Sequence, residues 1–209
     1  MAINETRIVK AQPLAVEGAY VFTPRSYPDE RGVFVSHFQG SVFQETVGYP
    51  LFAVAQVSHS RSRQGVARGI HYTRTPPGAA KYVHCPNGRA YDVVVDLRVG
   101  SPTYGRWDAV ELDPLTHRAV YLPPGVGHAF VAMEADTVMT YLLSREYDPD
   151  NELAVSIEDP TIALDLPAAV PPVLSARDQR ARTVAEARAE GLLPEYATCR
   201  AIEQTFHLR

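Results

Sequence analysis

Several side chains could do chemistry together. His71 lies in the run Gly65-Val66-Ala67-Arg68-Gly69-Ile70-His71-Tyr72, with Arg68 shortly before it and Lys81 shortly after. Imidazole titrates near neutrality, and fixed cations stabilise an anion as it forms, so this grouping suits proton abstraction beside a developing negative charge. A satisfied core histidine and ordinary surface cations fit the same spacing, and spacing alone leaves both readings open. In Thr137-Val138-Met139-Thr140-Tyr141-Leu142-Leu143, strand alternation points Tyr141 the same way as Met139 and Leu143, and a Tyr among apolar neighbours keeps its hydroxyl available in a dry setting. Asp178 could be an acid at a helix start, favoured by the dipole, or could orient a histidine. Arg31, on the turn Asp29-Glu30-Arg31-Gly32-Val33-Phe34, suits bidentate contact with phosphate, although a solvated turn charge reads the same way.

The elements that must position these groups are short strands. Proline and glycine punctuate the chain, and β-branched and aromatic runs lie between them. Strands are predicted at Val33–Phe38, Phe52–His59, Ala67–Tyr72, Ala80–Cys85, Ala90–Leu97, Trp107–Leu112, Ala119–Leu122, Ala129–Met133 and Val138–Leu143, with a short helix over Ser41–Thr46. Many short strands with tight turns make a sandwich, jelly roll or small barrel. In Ala90–Leu97, Asp92 and Asp96 share one face while Tyr91, Val93, Val95 and Leu97 share the other, so the acidic face is either solvated or lines a polar cavity. Beyond Ala168 the β pattern stops. The Ala-, Arg- and Glu-rich stretch from Ala176 to Gly191 favours a helix, with Gly191 as its C-terminal stop. The predicted organisation is one domain over 1–178 with a helical C-terminal extension, 179–209, packed on it.

Composition narrows the function class. The chain has 209 residues, 45% of them apolar, and a formal charge of -4, which gives no nucleic-acid footprint but leaves room for a local cationic pocket and an anionic small molecule. Cys85 and Cys199 lie far apart and match no CxxC pattern, so they read as free thiols in a reducing compartment. No signal peptide and no apolar stretch long enough to span a bilayer is visible, so the expected location is the cytoplasm, with no membrane partner.

His128 sits in Pro123-Pro124-Gly125-Val126-Gly127-His128-Ala129-Phe130, which matches the second cupin signature, Pro-x-Gly-x-x-His. Metal-binding cupins need a His-x-His pair as well, and the corresponding stretch here reads His71-Tyr72-Thr73. The ligand count fails and no metal is expected. His128 then reads as a structural turn residue or as a hydrogen-bond partner for substrate.

Taken in order, Asp29-x-Arg31-Gly32-x-Phe34, Gln56-x-Ser58-x-Ser60, Arg68-Gly69-Ile70-His71, Lys81, Asp92-x-x-x-Asp96-x-Arg98, Ser101-Pro102-Thr103-Tyr104-Gly105-x-Trp107, Pro123-x-Gly125-x-x-His128-x-Phe130, and Tyr141 with Tyr147-Asp148-Pro149 resemble the dTDP-4-dehydrorhamnose 3,5-epimerase family. The resemblance runs from about Gly18 to Asp178. It implies a mainly β, cupin-like jelly roll, a homodimer, and an isomerase acting on a dTDP-linked 4-keto-6-deoxyhexose without a cofactor. By that resemblance His71 is the base, Asp178 its orienting partner, Tyr141 the acid across the ring and Lys81 the group that stabilises the enolate oxygen. Arg68 and His128 help to hold the substrate. Arg31 resembles the phosphate contact, supplied from the neighbouring subunit, and Tyr147 the aromatic that stacks on thymine. Gln56 sits where the nucleotide is contacted, and Phe34, Ser58 and Ser60 complete the substrate-binding set.

Four positions depart from the family pattern: Val35-Ser36 after the arginine turn, Ser58 in place of Asn, Thr73 in place of Gln, and Gly78-Ala79-Ala80 before the lysine. They resemble the branch serving deoxysugars of antibiotics. The resulting expectation is epimerisation at C5, or also or instead at C3. Two other readings stay open at this point: a dTDP-sugar 3,4-ketoisomerase, and a non-catalytic cupin that binds a sugar nucleotide.

Overall fold

The computed structural model describes residues 9–167 and 172–208. Among these described residues, thirteen strands form in chain order: β1 (Val9–Pro13), β2 (Tyr20–Pro24), β3 (Ser26–Asp29), β4 (Gly32–Val35), β5 (Gln56–Ser62), β6 (Ala67–Thr73), β7 (Lys81–Asn87), β8 (Ala90–Asp96), β9 (Trp107–Leu112), β10 (Ala119–Leu122), β11 (Val126–Ala132), β12 (Thr137–Leu143) and β13 (Glu152–Ala154). Helix α1 (Gly40–Val47) lies between β4 and β5, while α2 (Val184–Ala189) and α3 (Tyr196–Gln204) follow the strands. One sheet has the order β1-β2-β10-β7-β12-β5 and the other β13-β6-β11-β8-β9, with β3 and β4 forming a separate hairpin. This is the mainly β, jelly-roll architecture that the family resemblance implies, and one of the three the strand pattern allows. No described helix is long and apolar enough to cross a membrane.

Alternation explains the layers. Val83 and Met139 from the six-stranded sheet meet Val94 and Phe130 from the five-stranded sheet in the central core. The outer face of the five-stranded sheet, through Ile70, Tyr72, Val93 and Val95, is covered by Val155, Ile157, Ile162, Val184, Ala187 and Leu193. Helix α1 closes the outer face of the other sheet by packing Phe43 against Phe22, Tyr82 and Tyr121. The acidic face of β8 points inward. Asp96 is fully buried, and both its carboxylate oxygens are held at 2.8 Å by the guanidinium of Arg98. A bidentate, hydrogen-bonded geometry of this kind is what lets an ion pair stay in an interior.

The C-terminal segment differs from the single helix predicted over 176–191. A 3-10 turn covers Asp178–Arg180 and the chain is then extended to Thr183, so α2 has only six residues. Composition favours helix throughout, but Thr183 and Glu186 form a reciprocal capping box that starts the helix afresh, and Arg182 bridges the backbone of Val155. Gly191 does follow the helix end in a left-handed conformation, φ +67°. Strands β1, β2, β3 and β13 were not expected from the pattern, and the predicted strand from Phe52 begins only at Gln56, while helix α3 lies within the extension expected to be helical.

One irregularity decides how the site is built. Where β6 pairs with β11, His71 faces His128 and Arg68 faces Phe130, so Gly69 and Ile70 together oppose Ala129 alone. This is a β-bulge. In a regular strand, residues three apart point to opposite faces. The extra residue turns Arg68 and His71 to the same face, while Ile70 stays buried in the outer core. Only glycine fits the bulge: Gly69 has φ +129°, and an added Cβ would lie 2.4 Å from Cβ of Ala129 and 2.6 Å from the carbonyl oxygen of His128.

Replacing Gly69 with Ala is therefore expected to cost about 3 kcal/mol or more, combining strain and overpacking. Gly100→Ala, at φ +86° but with open space around it, should cost only about 1–2 kcal/mol. Denaturant unfolding of the two variants checks this; equal losses would show that the bulge tolerates a side chain.

Candidate active site

A cavity of about 650 Å³ opens between the two sheets. His71 lines it from β6 and His128 from β11; Lys81 and Tyr141 line it from β7 and β12 of the other sheet. Arg68, Gln56, Ser58 and Tyr147 also face it. Eight of the twelve residues singled out in the sequence thus share one cavity.

Asp178 stands behind His71. Its Oδ1 lies 2.7 Å from Nε2 of the imidazole, across a sequence separation of 107 residues. Burial raises the carboxyl's pKa, but the hydrogen bond and charge of His71 and the hydroxyl of Ser175 outweigh it, so Asp178 is held below the usual aspartate value. An ionised acceptor at Nε2 keeps the proton on that nitrogen and leaves Nδ1 as the basic one. Asp178 thus lies against His71 on a short 3-10 turn rather than at the start of a long helix.

A second pair lies beside the first. Nε2 of His128 is 2.6 Å from Oδ1 of Asp92, and both residues are buried. Because His128 and His71 are direct cross-strand partners, two carboxylate-backed imidazoles stand next to each other on one wall. Asp92 completes the site from the acidic face of β8, where an acid within a buried strand was the available signal. Among the described residues, no group of three or more His, Cys, Asp or Glu side chains is arranged to hold a metal ion.

On the opposite wall, burial pushes the Tyr141 phenol well above its ordinary value, and Asp92 adds to that rise, while Ser60 and Arg68 act against it. The phenol is therefore protonated at neutral pH. Lys81 is buried, and loss of water pulls its ammonium below 10.5, opposed by the charge of Glu152. Glu152 also lines the cavity and accepts the Thr73 hydroxyl at 2.6 Å. Sequence reading missed it, because nothing in the loop-like sequence around the three-residue β13 marks it until that strand pairs with β6. Nearer the mouth, the Gln56 side chain donates to Ser58 at 2.7 Å and accepts the Tyr147 backbone N–H at 2.8 Å, fixing the segment that presents the half-exposed Tyr147 ring.

Four of the expected residues do not line the cavity. Asp178 sits behind His71, hydrogen-bonded to it. Ser60 instead meets the Tyr141 hydroxyl at 3.3 Å. Arg31 and Phe34 lie on the β3–β4 hairpin, where Arg31 is paired with Asp29 and Phe34 is 68% exposed. Within one chain, neither reaches the cavity.

Comparison with known proteins agrees with this geometry. The model of the dTDP-4-dehydrorhamnose 3,5-epimerase family matches residues 13–186. A dTDP-4-dehydrorhamnose 3-epimerase from Streptomyces niveus is 49% identical over 194 residues, covering 93% of each chain. Among solved structures, a 4-keto-6-deoxy sugar epimerase from the novobiocin biosynthetic gene cluster of Streptomyces spheroides superposes with TM-score 0.88 at 47% identity, over 95% of this chain and 98% of that one. A 3'-monoepimerase from Streptomyces bikiniensis, in complex with dTDP-quinovose, superposes with TM-score 0.89 at 43% identity, over 94% and 99%.

The chain contains only two lysines, Lys10 and Lys81, so Lys10→Arg leaves one lysine signal to follow. By carbon NMR of labelled lysine, Lys81 is expected to titrate below 10.5, and Glu152→Gln to move it lower still. An ordinary or raised midpoint would contradict the buried position.

Proposed function

Since the chain belongs to the dTDP-4-dehydrorhamnose 3,5-epimerase family, we propose that it is an isomerase that inverts a carbon next to the ketone of a dTDP-linked 4-keto-6-deoxyhexose. The observation that carries this reading is a base and an acid on facing walls of one cavity: His71 backed by Asp178 on one sheet, Tyr141 on the other.

The chemistry follows from the ketone. A C4 carbonyl acidifies the C–H bonds at C3 and C5. Nδ1 of His71 takes a proton from one of these carbons, and the electron pair of that bond moves into the enolate. Its negative charge collects on the C4 oxygen, beside the ammonium of Lys81. Tyr141 then returns a proton to the other face, forming the new C–H bond and leaving a phenolate. Cations aimed at the developing oxyanion lower the barrier because they are already in place in a largely dry site. The substrate's own ketone is the electron sink, so no cofactor is required. His128, Ser58 and Arg68 hold the sugar and diphosphate, while Gln56 and Tyr147 hold the nucleotide.

The motifs by themselves point toward C5. The names of the relatives, 3-epimerase and 3'-monoepimerase, together with the 3,5-epimerase family, share C3. Exchange at C3 is therefore expected first. The exposed β3–β4 hairpin supports a homodimer in which Arg31 and Phe34 reach the partner's cavity, Arg31 to meet the diphosphate.

Incubation with dTDP-4-keto-6-deoxyglucose in deuterated water should label C3, C5 or both, with the ketone still at C4 by NMR; no label, or a migrated ketone, would sink the assignment. His71→Asn and Tyr141→Phe should each lower turnover by roughly 10²–10⁴-fold. Arg31→Ala should raise KM far more than it lowers kcat. Sedimentation should give twice the chain mass of 23.0 kDa, and a monomer with full activity would rule out the shared site.

A further inference from the structure

Tyr141 has one hydroxyl hydrogen, and the Ser60 hydroxyl lies 3.3 Å from the phenol oxygen. If the phenol is to deliver its proton into the cavity, that hydrogen must point at the substrate. The phenol oxygen must then accept from Ser60, which can donate because its hydroxyl rotates freely. Ser60 is on β5, directly next to Tyr141's strand, and is itself absent from the cavity lining. It therefore addresses Tyr141 rather than the sugar.

Delivery of the proton leaves a charged phenolate in a buried place. Burial and the Asp92 carboxylate both disfavour that anion, and Asp92 Oδ2 has no hydrogen-bond partner among the described residues. The groups acting the other way are Ser60 and Arg68. The Arg68 side chain is aimed by a hydrogen bond from its Nε to the Ser62 hydroxyl at 3.2 Å, one step along the same face of β5. The β6 bulge turns Arg68 inward in the first place.

We propose that Ser60 is the positioning residue of the Tyr141 acid, donating to the phenol oxygen so that the only phenolic proton faces the substrate, and that Ser60 and Arg68 together hold the phenolate after transfer. This rests on the epimerase reading for its kinetic consequence and on geometry alone for its spectroscopic one. In the reaction the Tyr141 O–H bond breaks, the C–H bond forms on the enolate carbon, and the resulting phenolate is re-protonated from solvent before the next turnover.

The test uses the full-length protein in two arms. In the first, Ser60→Ala is expected to lower kcat for inversion by about 10- to 100-fold, the worth of one hydrogen bond to a charged group, with KM little changed. Ser60→Thr, which keeps the hydroxyl, is expected to restore most of it. Deuterium exchange without inversion, which needs only His71, should persist in Ser60→Ala. A KM effect with unchanged kcat, or a Thr variant no better than Ala, would overturn the proposal. In the second arm, 3,5-difluorotyrosine incorporated at Tyr141 is titrated by fluorine NMR without substrate. Ser60→Ala and Arg68→Gln should each raise its midpoint by about one unit. Unchanged midpoints would overturn the proposal even if the protein is an epimerase, whereas raised midpoints with no deuterium exchange by the unmodified protein would sink the epimerase reading alone.

Discussion

One extra residue in β6 governs the rest of the site. The spacing from Arg68 to His71 would put the two side chains on opposite faces of a regular strand, and the Gly69–Ile70 bulge opposite Ala129 cancels that parity. Two demands are met at once. The polar pair turns inward to the cavity, and Ile70 and Tyr72 are left outside as the apolar surface that the C-terminal segment covers. That covering brings the 3-10 turn carrying Asp178 against β6, where it meets His71. The orientation of the imidazole thus depends on burial of the outer face as much as on the hydrogen bond itself.

The cavity walls divide their electrostatics. The β6/β11 wall holds two imidazoles, each tied to a buried carboxylate. The β7/β12 wall holds a buried lysine and a buried phenol, both with their charged forms disfavoured by lost hydration. Two carboxylate-bound imidazoles and two groups that resist ionising therefore line facing walls of one cavity. In the proposed reaction this would put base and acid in environments that push their proton affinities apart.

Much of this was readable in the chain. Trp107–Leu112 and Ala119–Leu122 form strands over the predicted spans, because alternation and bounding turns act locally. His71, Lys81, His128 and Tyr141 were legible as residue types next to such patterns. What escaped depended on distant pairing. Alternation identified the odd acidic face of β8 but could not say that Asp92 would meet His128. Glu152 has no local signal, since its place comes from a three-residue strand pairing with β6. The helix predicted from composition over 176–191 breaks because capping at Thr183 and a backbone bridge at Arg182 outweigh intrinsic propensity. Ser60 was read as a substrate contact from its motif, and its hydroxyl lies 3.3 Å from that of Tyr141, a contact across strands that no local pattern shows.

The bond between His71 and Asp178 also joins early chain to late chain. Polypeptides leave the ribosome N-terminal end first, and the strands bearing His71, Lys81, His128 and Tyr141 are all complete before Asp178 has been added. A nascent chain can close its sheets and still hold an unoriented imidazole. The hydrogen bond to His71 can therefore form only after those strands have been made, together with the segment that covers the outer face of the sheet.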